Sequence, residues 1–511
     1  MENRPQWGTR AGFIFAAVGS AIGLGNIWRF PAVAYENGGG AFFLPYLFAL
    51  LTAGIPLLIL EFTMGHKYRG SAPLSYARMN KKYEWIGWWQ VGIAFVISVY
   101  YAAIIAWAMS YSVFSFNLSW GEKTQDFLFG DYLQLVNPGE VGSIVPGVFI
   151  PLLIVWAVTL GVLFKGVKRG VELANRIFIP TLVVLFLIIV VRALTLDGAV
   201  DGLNAFFKPD WSAISSGKVW VAAYGQIFFS LSIAFAIMIT YSSYLPKKSD
   251  ITNNAFITGF SNSSFELLAG IGVFSILGFL AFTQGSAVAD VVKAGPVLAF
   301  AVFPTIINEL PALNQLFGFL FFGSLVLAGL SSLISIVETY VAGVQDKFNI
   351  SRTKAVLYGG GLAGVFSLLI ATQGGLWFLD VMDYFINSFG VALAGLVQII
   401  VVVYFAKELT NLQKHANSVS DIKLDGILGL WWKASLAVIT PLVLGYMMIQ
   451  NLIENVKNVY GEGDGISRLF TIGFGWSVAI GVIVLGFILA KLRWSKGTIE
   501  VPTSSSKEVS K

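Results

Sequence analysis

The sequence predicts an all-α integral membrane protein with twelve spans, and three observations carry that prediction. Apolar residues fill 56% of the 511 positions and charged residues only 12%, too few polar groups to clothe an ordinary soluble domain. Apolar segments long enough for a ~30 Å hydrocarbon layer recur along the whole chain. Lysine and arginine gather in alternate connections, which assigns one side of the membrane to the cytoplasm.

Spans are expected near 10–36, 41–65, 87–116, 146–164, 172–195, 217–245, 254–283, 313–345, 354–372, 376–406, 434–454 and 468–492. The inner connections carry Lys67, Arg69, Arg78, Lys81 and Lys82, then Lys165, Lys168 and Arg169, with further clusters about Lys247, Lys347, Lys407 and Lys496. The outer ones hold little beyond Lys123, Lys208, Lys218 and Lys293. Both termini are therefore expected inside. No cleavable leader pattern precedes the first span. The outer segments 117–145 and 284–312 are too long for plain connectors, and the second has the apolar texture of a lid.

The first span is written unlike an ordinary one. Gly19, Gly23 and Gly25 fall within seven residues and are followed by Asn26 and Arg29. Each glycine weakens a helix by about 1 kcal/mol relative to alanine, so the helix is expected to unwind there. Unwound backbone at membrane depth persists only when buried in protein or lining a watery cavity. Its carbonyls can ligate a small cation and its N–H groups can hold a carboxylate. Close packing of helices through small residues is the alternative use of such glycines. Arg29 weighs against it, because an arginine within a span costs at least ~2.5 kcal/mol and implies a partner.

Glu61, Gln226, Glu266, Glu338, Asp380 and Asp383 also lie in or at the ends of apolar segments. Arg29 and Asp383 are the best candidates for an ion pair across an outer vestibule. The sixth span has a polar patch, Gln226, Ser230 and Ser232, but no central glycine, so its break is the weaker expectation. The eighth carries adjacent Ser331 and Ser332 in LAGLSSLIS, hydroxyls that suit a hard cation. Thiol catalysis, disulfides and iron–sulfur clusters are excluded because the chain has no cysteine. His66 and His415 are its two histidines, and neither an HExxH zinc motif nor a GxxxxGK[ST] phosphate loop occurs.

WGTRAGFIFAAVGSAIGLGNIWRFP, then ENGGGAFFLPY and GIPLLILE, and later YGQIFFSLS, AGLSSLIS and LDVMDYF, closely resemble the signature of the neurotransmitter:sodium symporter family and its bacterial amino-acid transporters. The resemblance covers spans one to ten, and the broken-helix rule is itself drawn in part from this family. It implies two inverted five-helix repeats, 10–195 and 217–406, forming a core 10–406 with discontinuous first and sixth helices. An N-terminal gate segment 1–9, two additional helices within 407–494 and a disordered cytoplasmic tail 495–511 complete the expected organisation.

The resemblance also implies a site. Substrate would meet Ala21, Gly23, Leu24, Gly25, Tyr101, Phe229, Ser230 and Ser232 at its polar end. Ile97, Phe229, Phe235, Ser332 and Ile336 would surround its side chain. Two sodium ions are implied, one at Ala21, Asn26, Ser230 and Asn262, the other at Gly19, Ile22, Ala328, Ser331 and Ser332. Arg29 with Asp383 would form an outer gate, and Arg4 with Asp346, beside Trp7 and Tyr244, an inner one. Glu266 stands where chloride-dependent members carry a serine, beside Tyr46, Gln226, Ser230 and Asn262, and would replace the anion. Gly170 and Pro180 match a Gly-x9-Pro pattern that unwinds the inner end of the fifth helix. Gly23 stands where monoamine carriers place an aspartate, so the substrate must bring its own carboxylate.

The expected function is sodium-coupled symport of a neutral, hydrophobic L-amino acid, independent of chloride, in the plasma membrane. The expected partners are the amino acid and the lipid bilayer, with no nucleic acid and an open oligomeric state. A substrate sensor or a channel on the same fold is the alternative.

Overall fold

The computed structural model describes residues 4–495 and 498–500; the first three residues of the expected gate segment and most of the expected tail lie outside them. The regular elements among the described residues are all helices, with isolated backbone bridges at Gly39–Pro209 and Ile144–Thr372 and no sheet.

Helix α1 (Arg10–Ala21) meets α2 (Leu24–Glu36) at a bend of 56°. Then follow α3 (Gly40–Tyr68), α4 (Lys81–Phe114), α5 (Pro146–Phe164) and α6 (Val167–Leu194). The expected sixth span is two pieces, α7 (Gly217–Ser230) and α8 (Ile237–Ser242). Beyond it come α9 (Ile251–Gln284), α10 (Asn314–Phe348), a shorter α11 over 352–367, α12 (Gly375–Phe405), α13 (Gly426–Asp464) and α14 (Arg468–Lys491). Among the described residues nine helices are long and apolar enough to cross a membrane, ten when α1 and α2 count as one span. The expected sixth and ninth spans are present as shorter helices, because one is interrupted and the other ends at 367 in a run of tight turns. Helix α13 is longer at both ends than the expected 434–454.

Burial sorts the helices. The most apolar stretch of α4 is 83% buried and that of α14 only 22%. Both stretches are apolar all round, so sequence alone does not separate the centre of the bundle from its lipid-facing rim. Helices α4 and α10 cross at the centre, with α1, α6 and α8 packed on α10. The outer segment 284–312 folds into short helices, Gly295–Glu309 the longest. Its Phe300 ring packs against Trp28 at 6.2 Å and Tyr111 at 5.0 Å, so the segment touches α2 of the broken first span.

Candidate functional site

The break in the first span takes two residues. Ile22 (φ −73°, ψ 97°) and Gly23 (φ −122°, ψ −168°) are extended, and α2 restarts at Leu24. Asn26 caps the restart, accepting from Gly23 N at 2.9 Å. Leu24 N donates to the Tyr101 hydroxyl at 3.2 Å, so the N-terminus of α2 and a phenol converge. The glycines permit the approach. A Cβ on Gly23 would sit 2.9 Å from Tyr101 Oη and 3.2 Å from Ser332 Oγ, and one on Gly25 would lie 2.3 Å from the Phe229 ring.

The break in the sixth span is longer. Residues 231–236 leave the helix, and Ser232, Ala234 and Ala236 take left-handed φ values of 53°, 68° and 70°. Each such non-glycine residue costs roughly 1–2 kcal/mol. Side chains from elsewhere offset the strain. Ala234 N donates to Glu61 Oε1 at 2.9 Å, Gln398 Nε2 donates to the same oxygen at 3.1 Å, and Ser232 Oγ donates to Ser20 O at 2.7 Å. Glu61 is fully buried on α3. Sequence reading marked it as an ionisable residue within a span but not as the anchor of this loop, because its partners come from 173 and 337 positions away.

Two sets of oxygens flank the breaks. Ser331 Oγ lies 2.8 Å from Gly19 O and Ala328 O, and Ser332 Oγ lies 3.3–3.4 Å from the carbonyls of Gly19, Ser20 and Ile22. Each hydroxyl has one proton to give, so carbonyl lone pairs outnumber donors. Such a cluster of uncharged oxygens fits a hard monovalent cation. The expected residues of the second sodium site are thus together. In the other set, Asn26 Nδ2 donates to Asn262 Oδ1 at 2.9 Å and lies 3.4 Å from Ser230 Oγ, to which Asn262 Nδ2 also donates. Ala21 closes α1 one residue before the break. Beside this set sits Glu266, fully buried, accepting from the Tyr46 hydroxyl and from Gln226 Nε2 at 2.7 Å. Ile97, Phe235 and Ile336 are buried to within a few per cent.

The two expected gates differ. At the inner one, Arg4 pairs with both oxygens of Asp346 at 3.0 and 3.1 Å and its Nε donates to Ser243 Oγ. Trp7 donates through its indole to Tyr241 O and through its backbone to Tyr244 O. At the outer one, Arg29 and Asp383 make no ion pair: the guanidinium lies 4.6 Å over the Phe229 ring and Asp383 accepts from Asn387 at 2.9 Å. Arg4 is thus tied to Asp346, while Arg29 lies against an aromatic ring.

Gly170 belongs to wide opening turns of α6, closed by i→i+5 bonds, and Pro180 is inside the continuous helix. A Cβ on Gly170 would meet Val162 O at 2.0 Å, so this glycine is also needed for packing against α5. Glu172 was missed from sequence. It accepts from Gly8 N at 2.6 Å and Thr9 Oγ1 at 2.9 Å, tying the N-terminal segment to α6.

The model of the sodium:neurotransmitter symporter family matches residues 4–134 and 122–496. An uncharacterized sodium-dependent transporter of Methanocaldococcus jannaschii is 40% identical over 496 residues, covering 97% of this chain and 99% of its own. The human sodium- and chloride-dependent neutral and basic amino acid transporter B(0+) is 28% identical over 566 residues, covering 98% and 87%. The crystal structure of MhsT in complex with L-phenylalanine aligns with a TM-score of 0.71 at 30% identity, covering 88% of this chain and 99% of that one. The chain belongs to the sodium:neurotransmitter symporter family and is a multi-pass membrane transporter, not an enzyme.

Proposed function

We propose that this transporter couples sodium to the uptake of neutral, hydrophobic L-amino acids by alternating access, without chloride. One observation carries the reading: the α2 N-terminus, the Tyr101 hydroxyl and two sets of uncharged oxygens meet at the helix breaks. A substrate carboxylate accepts from the N–H groups at 24–25 and from Tyr101, where the helix dipole also favours negative charge. Its ammonium donates to backbone carbonyls about Ala21 and Phe229. The remaining wall, Ile97, Phe235 and Ile336, offers no countercharge, so a charged side chain is excluded by the cost of burying it. MhsT, which binds L-phenylalanine, is consistent with such a wall.

Two sodium ions occupy the two oxygen sets. Moving down a tenfold gradient and ~100 mV, they release about 7 kcal/mol, which caps accumulation near 10⁵-fold, about. Residues 10–195 and 217–406 act as the inverted halves of twelve spans in the plasma membrane, with both termini in the cytoplasm. Glu266 supplies the negative charge that chloride supplies in relatives named for it, and two anions in one low-dielectric pocket repel strongly. When sodium leaves, a proton on Glu266 restores the balance and is carried back with the empty transporter.

The test is uptake into proteoliposomes from a panel of amino acids, with gluconate in place of chloride and with sodium present or absent. Sodium-dependent, concentrative uptake of phenylalanine- or leucine-like solutes, unchanged by gluconate, is the expected result, with Glu266→Ser acquiring a chloride requirement. Preference for lysine or glutamate refutes the apolar wall. A wild type that stalls in gluconate refutes the role of Glu266. Binding without concentration makes the protein a sensor, and currents beyond the substrate flux make it a channel.

A further inference from the structure

The chain's two histidines touch each other. His66, at the inner end of α3, places Nδ1 2.9 Å from His415 Nε2 on the connecting helix Leu409–Val419, and its own Nε2 lies 2.9 Å from Pro246 O. One arrangement of protons satisfies both contacts. His66 Nε2–H donates to the Pro246 carbonyl, and His66 Nδ1 accepts from His415 Nε2–H. Pro246 follows Ser243 and Tyr244, which hold Arg4 and Trp7 of the inner gate. Arg69 grips the same segment at Leu245 O. The pair therefore joins the connecting helix to the strip of backbone on which the inner gate closes.

We propose that the His66–His415 contact is a proton-sensitive clasp, favoured while both imidazoles are neutral and weakened by the charge that proton entry from an acidic cytoplasm adds, which biases the transporter toward inward opening. The proposal rests on the alternating-access reading. Its basis is the charge and geometry around the pair. Lys67 and Arg69 flank His66 on the same turn, and Arg69 Nη2 lies 3.1 Å from His66 Nε2. Arg4 acts on Arg69 from the N-terminal segment. Lys414 is the neighbour of His415, and Lys247 and Lys248 follow Pro246. The nearby acids are engaged elsewhere: Glu408 by Lys67 at 2.9 Å and Tyr68 at 3.0 Å, and Asp250 by Asn253 N and Arg10. A first proton thus adds a positive charge to a positive neighbourhood. A second sets two N–H donors face to face.

Burial, with Lys67 and Arg69 beside it, pushes the His415 imidazole down to about 4. A free imidazole titrates near ~6.5. The closed form's advantage is therefore full above ~6.5 and is lost as pH falls from there toward 4. For one site, the open-to-closed ratio should rise about tenfold between about pH 7.5 and about pH 5.5.

The chain contains no cysteine, so spin labels at Gln6→Cys and Thr353→Cys, both exposed, report the N-terminal segment against the inner end of the bundle. Distances are measured by pulsed electron resonance on the full chain in nanodiscs, at both pH values, with and without sodium. The expected result is the tenfold rise in the open population on acidification, reduced below about twofold in His66→Gln/His415→Gln and in His415→Gln alone, whose half-exposed site keeps the fold. The same pH response in His415→Gln overturns the proposal. So does a wild type insensitive to pH whose distances still respond to sodium. Distances that sodium moves at neither pH overturn the symport reading, and the clasp with it.

Discussion

The first span breaks over two residues, Ile22 and Gly23, and the sixth over the six residues 231–236. The shorter break holds Gly23, with Gly19 and Gly25 in the helices on either side. The longer one places Ser232, Ala234 and Ala236 in the left-handed region with no glycine at all. The first break is written locally: weak helix formers, then Asn26 to cap the restart. The sixth is imposed from outside, by Glu61, Gln398 and the Ser20 carbonyl. A helix can thus be opened by its own residues or by its neighbours, and the two routes respond differently to mutation.

The largest effect should come from removing the outside support. Glu61→Ala leaves Ala234 N–H and the Gln398 amide buried without an acceptor, at ~1–3 kcal/mol each. Sodium-driven uptake should fall more than about 100-fold, with a lower melting temperature, while Glu61→Gln retains an acceptor and most of the uptake. Equal losses in both variants would mean that the charge, and not the anchoring of the loop, matters.

Next is the first break. Tyr101→Phe removes a donor to a charged group and should weaken substrate binding by ~1–3 kcal/mol, read as a Kd about five- to 150-fold higher. Gly23→Ala should weaken binding through a different cause, a methyl 2.9 Å from the same hydroxyl, with thermal stability unchanged. Wild-type affinity in Gly23→Ala would show that the glycine serves helix unwinding alone.

Pro180→Ala should slow turnover about two- to tenfold with little change in substrate affinity, because the proline already removes one helix hydrogen bond from α6. Gly170→Ala is the poorer probe, since its methyl meets Val162 O and destabilisation would mask any effect on opening. An unchanged turnover in Pro180→Ala makes the proline a static kink.

The smallest effect is expected at Ala236→Gly. Glycine relieves the left-handed strain but adds freedom to the unfolded chain, and the two nearly cancel, within about 1 kcal/mol. A large loss of uptake there would mean that the strained backbone is itself part of the mechanism.

Much of the site was legible because the residues that form the first break are neighbours in sequence. The first break, Asn26, Ser331 and Ser332 follow from residue type and spacing. The inner contacts Arg4–Asp346 and Trp7–Tyr244 stand where the resemblance put them. The outer pair does not: Arg29 lies over Phe229 instead of reaching Asp383, because the stacking partner is 200 residues away and no spacing rule reports it. Glu61 and Glu172 were missed as supports for the same reason.

By itself, then, the sequence determined that this chain is a membrane-spanning helical bundle and where the first span must open, since hydrophobic length and helix propensity are local quantities. The tertiary structure alone decided which apolar helices lie at the centre, how the sixth span opens without glycine, and which partner each buried polar group takes. Those outcomes depend on contacts between residues hundreds of positions apart, whose energies are set only once the helices are packed.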